Sequence, residues 1–145
     1  MPSHLGTGVA VRTLIVTVAV TLMAASCTKP LPGDLSVTEV TTGRSLAPDG
    51  TIVEDTKTNS FWTTDTFYAS VKTQGAANNV AITGRWTGPD GKVVAEVSKT
   101  VSPSGDTVTG LEAPPKEGER WAAGDYKLEV LVNGTSTDSK DLVVH

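Results

Sequence analysis

What most restricts this chain's fold is a two-residue alternation of apolar and polar side chains, repeated in short runs that turn residues interrupt. Successive side chains of a strand point to opposite faces, so such a run buries one face and wets the other. Phe67, Ala69 and Val71 alternate with Tyr68, Ser70 and Lys72. Val80, Ile82 and Trp86 share one face of the next run, with Arg85 and Thr87 opposite. Val93, Ala95 and Val97 mark one side of Lys92–Lys99, and a weaker run over Thr107–Glu112 is closed by Pro114-Pro115. Tyr126, Leu128, Val130 and Val132 alternate with Lys127, Glu129 and Leu131, and Thr135–Val144 pairs back. Between these runs, Gly88-Pro89-Asp90-Gly91 is built for a tight hairpin, and Asn133-Gly134 favours a type I′ turn. Helical periodicity is absent after the leader. Roughly seven or eight short strands so spaced predict an all-β fold, an antiparallel two-sheet sandwich over 51–145.

The N-terminus is of another kind. Met1–Arg12 is a short head, and Thr13–Ser26 is a 14-residue uncharged stretch of apolar and small residues. A bilayer core about 30 Å thick needs roughly 20 apolar residues as a helix. The stretch is too short for that and matches a helical signal peptide, whose apolar region runs about 7–15 residues. The chain's single cysteine, Cys27, falls where this run ends. One Cys excludes an internal disulfide in a protein whose export would permit one.

Met23-Ala24-Ala25-Ser26-Cys27 resembles the bacterial lipobox, with Ala24 where that family most often has Leu. The resemblance implies cleavage after residue 26, a diacylglyceryl group on the Cys27 thiol and often a further acyl chain on the new amine. Two or three chains hold a protein to a bilayer stably where one does not. It also implies residence in the bacterial cell envelope, and Thr28, standing where Asp would retain an inner-membrane lipoprotein, allows transfer to the outer membrane if the cell is Gram-negative. Residues 27–50 read as a flexible tether, rich in Thr, Ser, Pro and Gly and without aromatics, since such a segment buries too little to offset its ordering entropy. Leu35, Val37 and Val40 are the exception, with a short edge strand open to them.

Two features of the alternating region carry a second resemblance. Trp86 lies on the third strand, where immunoglobulin-like domains commonly bury a Trp. Ala122-Ala123-Gly124-Asp125-Tyr126 resembles the tyrosine corner, whose Tyr hydroxyl bonds back to the backbone. From Phe61 to the end the chain looks like the immunoglobulin-like modules of bacterial secreted proteins, which implies structural roles for Trp86 and Tyr126. Such sandwiches host many functions, so the likeness is silent about ligand.

The composition narrows the chemistry. The formal charge is −4, and removal of a leader containing Arg12 leaves 11 Lys+Arg against 16 Asp+Glu. An acidic body without a basic run has no footprint for a phosphate backbone, so nucleic acid is not an expected partner. Beyond the leader there is one His, His145, the last residue. Triads and His/Cys zinc sites therefore lack their parts. Glu54-Asp55 with Asp65 is a poor glycosidase pair, and Asp138 with Asp141 falls short of a calcium loop. Asn133-Gly134-Thr135 matches a glycosylation sequon that the turn already explains. The expectation is a protein without cofactor, metal or catalytic residues. Phe61 and Trp62 are neighbours that cannot both face inward on a strand. With Trp121 they form the candidate partner-binding surface, closure of the sandwich end being the alternative. The chain is thus read as a membrane-anchored envelope lipoprotein whose domain binds a protein or glycan. The alternative is a structural or stress-related surface lipoprotein with no dedicated ligand.

Overall fold

A computed structural model of the chain describes residues 35–145. The signal peptide, Met23–Ser26, Cys27 and Thr28 lie outside the described residues. Eight strands follow one another: β1 (Ser36–Gly43), β2 (Ser60–Phe61), β3 (Phe67–Gln74), β4 (Val80–Thr87), β5 (Val93–Val101), β6 (Thr107–Ala113), β7 (Gly124–Val132) and β8 (Thr135–Val144). They form two sheets, ordered β1-β3-β6 and β2-β8-β7-β4-β5. Every pairing is antiparallel except the short parallel contact of β2 with β8. The alternation does what it should. Phe67, Ala69, Val71, Leu111 and Ala113 of the first sheet, and Val80, Ile82, Trp86, Leu128, Val130 and Leu142 of the second, are all buried between the two. Asn133 and Gly134 both take positive φ, 48° and 80°, as a type I′ turn requires.

The tether expected over 27–50 gives way to folded chain at Leu35. β1 pairs with β3 from Ser36 opposite Gln74 to Gly43 opposite Tyr68, and Leu35 and Val40 are buried. The following segment stays attached, with an isolated bridge between Leu46 and Ile52 and another between Gly43 and Lys57. The folded unit is therefore 35–145 rather than 51–145. The physical reason is a register shift between Val37 and Glu39. Val37 and Val40 are three apart and would face opposite ways on a regular strand. The irregularity lets Val40 enter the core while Val37 packs against it. Outside, Lys72 donates to Glu39 at 2.8 Å.

A second irregularity corrects the face assigned to β5. Thr87 opposes Val93 while Trp86 opposes Ala95, leaving Val94 as the extra residue. Such a bulge exchanges the faces of the residues that flank it. Val94 joins Ala95 and Val97 against the core, and Val93 is turned out, 53 % exposed.

The registers also define two poles. Leu35 enters at one, with the 75–79, 102–106 and 133–134 connections. At the other lie the 44–66 segment, the 88–92 hairpin, the 114–123 connection and His145.

Candidate functional site

The pole away from Leu35 is built from three segments tied by backbone hydrogen bonds. In the hairpin the Gly88 amide donates to the Lys92 carbonyl at 2.8 Å, and the Gly91 amide to Gly88 at 3.0 Å. After β2 the chain turns on Asp65, whose Oδ2 accepts from the Trp62 amide at 2.8 Å and from Arg44 Nε at 3.0 Å. The third segment joins the second through Trp121. Its amide donates to the Thr63 carbonyl at 2.9 Å and its indole Nε1 to the Asp65 carbonyl at 2.7 Å.

This scaffold separates the three aromatic candidates. Phe61 is fully buried and meets Phe67 edge-on at 5.0 Å. Trp121 stacks on the same ring at 4.6 Å and is only 8 % exposed. Trp62 alone faces out, 57 % exposed, its ring 6.0 Å from that of His145. Phe61, the last residue of β2, thus faces inward to close the sandwich, and Trp62, the first residue of the turn on Asp65, faces out. We expect Trp62→Ala to leave stability within about 0.5 kcal/mol of wild type, as for most surface substitutions. A denaturation midpoint that falls as far as for a core truncation would contradict this placement.

Tyr126 makes the bond expected of a tyrosine corner and Trp86 is fully buried, though on the fourth strand, β4, rather than the third, because the early β1 adds a strand to the count. The Tyr126 hydroxyl donates to the Ala122 carbonyl at 2.6 Å, which is the tyrosine-corner bond. Its pKa is raised above 10, chiefly by burial and further by the charge of Asp90. A raised folded pKa leaves stability intact below the unfolded value and removes it as pH climbs past about 10 toward the folded one. Denaturant melts above that pH should show a shallower decline for Tyr126→Phe than for wild type. At neutral pH that variant should be weaker by about 0.5–1.5 kcal/mol for the lost hydrogen bond.

Three of the acids considered from sequence have local partners. Asp65 is held by Arg44 and the Trp62 amide, Glu54 pairs with Lys57, and Asp138 accepts from the Ser139 amide. No group of three or more His, Cys, Asp or Glu side chains able to hold a metal is present among the described residues.

What the sequence reading missed is a groove of about 440 Å³ between the hairpin and the 114–123 connection. Trp121 and Tyr126 form its floor, Val93 and Pro115 stand on its two banks, and Lys92, Lys116 and Arg120 also line it. Lys116 and Arg120 are four residues apart but are interleaved with Glu117 and Glu119, and Lys92 comes from a distant segment, so no basic run marks the place in sequence. Only the turn residues flanking both segments hint that they meet.

The sheet order, the buried Trp86 and the tyrosine corner define an immunoglobulin-like β-sandwich. Among solved structures the chain is similar to the C-terminal domain of Wzt, with 13 % identity over 80 % of this chain and 76 % of that one, and a TM-score of 0.54. It is similar also to an immunoglobulin-like protein from Pseudomonas aeruginosa, with 14 % identity, 77 % and 97 % coverage and a TM-score of 0.50. A third likeness is to the alkylpurine DNA glycosylase AlkC of Pseudomonas fluorescens, with 12 % identity and a TM-score of 0.52, covering 78 % of this chain but 31 % of that one. At such identities the likeness is one of fold. No protein-family model and no curated protein matches the sequence.

Proposed function

We propose that this is an exported lipoprotein of the bacterial cell envelope, anchored through Cys27, whose immunoglobulin-like domain is a non-catalytic module for binding a protein or glycan. The observation that carries the binding reading is the polarity of the domain. Chain enters at Leu35, on the Cys27 side, while the exposed Trp62 and the groove lie at the opposite pole. A surface so disposed points away from the membrane that an anchored Cys27 would occupy. Trp is also a residue enriched among interface anchors.

The anchor is tested by growing cells expressing the full chain with an alkyne fatty acid and detecting its incorporation. Wild type should be labelled and should sediment with membranes. Cys27→Ser should lose the label entirely and either remain uncleaved or appear in the soluble fraction. Identical labelling and fractionation of the two would refute the lipoprotein reading.

A further inference from the structure

We propose that the groove and the free edge of β5 together bind an extended acidic peptide segment of a partner protein, paired as an added strand. The proposal rests on the reading of this domain as a binding module and narrows it to one partner chemistry.

Charge is the first argument. Arg44, Lys57, Lys72 and Arg85 each have a carboxylate within salt-bridge distance. Six cations have none among the described residues, Lys92, Lys99, Lys116, Arg120, Lys127 and Lys140, and three of the six, Lys92, Lys116 and Arg120, line the groove. Two acids share the lining, Asp90 and Glu119; Asp90 accepts from the Lys92 amide at 3.0 Å and keeps its charge, so three cations against two acids leave the lining positive by one charge. Cations outnumber acids at this spot on a chain whose composition is acidic. The site thus complements carboxylates, and complementary potential steers and selects partners.

Shape is the second. The β5 bulge turns Val93 outward at the groove, with Pro115 across from it. The aromatic floor is nearly closed to solvent, Trp121 at 8 % and Tyr126 at 3 % exposure. A sugar would find no open ring face there on which to stack. The aliphatic banks suit a Val- or Leu-sized side chain, and the volume lies within the roughly 300–1,000 Å³ range of ligand pockets.

The sheet edge is the third. β5 is the last strand of its sheet and pairs on one side only, with β4. Its nine residues therefore present backbone donors and acceptors that an extended peptide would satisfy, with alternate side chains supplying specificity. Lys99 opposes Ile82 in register and is exposed, while Glu96, also exposed on this edge strand, is held by Arg85. A lysine on an edge strand deters edge-to-edge pairing with a second copy, whereas a carboxylate-bearing strand brings the opposite charge.

The test uses the full-length protein in detergent and a short fluorescein-labelled peptide of alternating Glu and Val, followed by fluorescence anisotropy. Controls are the same peptide with Lys in place of Glu, one with Pro in place of Val, and an oligogalacturonate. The Glu–Val peptide should bind, more weakly as salt rises, and should slow amide hydrogen exchange within Val93–Val101. Lys116→Glu with Arg120→Glu, both at exposed positions, should keep the wild-type melting temperature and weaken binding by about tenfold or more, a change of roughly 1.4 kcal/mol. Equal binding of the Lys or Pro peptide, or protection elsewhere in the domain, would overturn the proposal. Preferential binding of oligogalacturonate would overturn it while leaving a binding module in place. No binding of any probe at about millimolar concentration, near the weakest affinity worth measuring, would also sink it. The Cys27 anchor is judged separately by its fatty-acid label.

Discussion

Phe67→Ala is expected to cost about 3–5 kcal/mol, the range for truncating a large aromatic in a core. The position is the hub of the aromatic cluster. Its ring is fully buried, lies edge-on to Phe61 at 5.0 Å and to Tyr126 at 5.6 Å, and stacks with Trp121 at 4.6 Å and Trp86 at 6.3 Å. Removing it leaves four rings without a common neighbour, and they cannot all close on the gap because each is fixed by its own strand or hydrogen bond. Since small domains are stable by only about 5–15 kcal/mol in total, the variant should sit near its unfolding threshold. Urea denaturation followed by tryptophan fluorescence gives the value. A loss below about 1 kcal/mol, typical of ordinary surface or peripheral changes, would show that the cluster holds without its centre.

Trp86→Ala should cost a comparable amount, and comparison with Trp86→Phe separates two contributions. Trp86 is the largest fully buried side chain, and it lies over Gly84, where an added Cβ would come within 3.0 Å of the indole ring. The strand has given up a side chain at Gly84 to make room for it. Yet the indole Nε1 has no hydrogen-bond partner among the described residues. A buried donor left unpaired carries a penalty of about 1–3 kcal/mol. Trp86→Phe removes that penalty together with part of the ring, so it should fall much closer to wild type than Trp86→Ala does. Equal losses for the two would mean that the indole nitrogen contributes nothing unfavourable and that packing of the whole bicycle decides the matter.

Regular alternation was the legible part of this fold. β3, β4 and β7 lie where Phe67–Lys72, Val80–Trp86 and Tyr126–Val132 predict them, and Asn133-Gly134 takes the expected turn. The tyrosine corner was equally readable, because a Tyr two residues after Gly124 is a local signal for a local bond. The misreadings fall at bulges. One extra residue breaks the period of two, so β1 showed only as a short edge strand open to Leu35, Val37 and Val40, and Val93 was set on the side of Ala95 and Val97. β2 is two residues long, and its parallel pairing with β8 spans more than eighty residues of sequence, which no local pattern encodes. Neighbour logic was enough to say that Phe61 and Trp62 must part, but not which would face the solvent. The groove eluded the sequence for a similar reason. Its two banks come from β4–β5 and β6–β7, and only folding makes them one surface.

Early entry into the sandwich at Leu35 also sets how far the domain could stray from an anchor placed on Cys27. Eight residue steps separate Cys27 from Leu35, so the span between them cannot exceed about 28 Å however the chain runs. The nine-residue β5 and β7 make the sandwich itself roughly 30 Å tall at about 3.3 Å per residue. With lipid on Cys27, the far pole would then patrol a thin shell above the bilayer, on the order of 60 Å deep at full stretch. Partners fixed in the same membrane would meet it at the high effective concentration of a short leash. A target beyond that shell would have to send a segment inward.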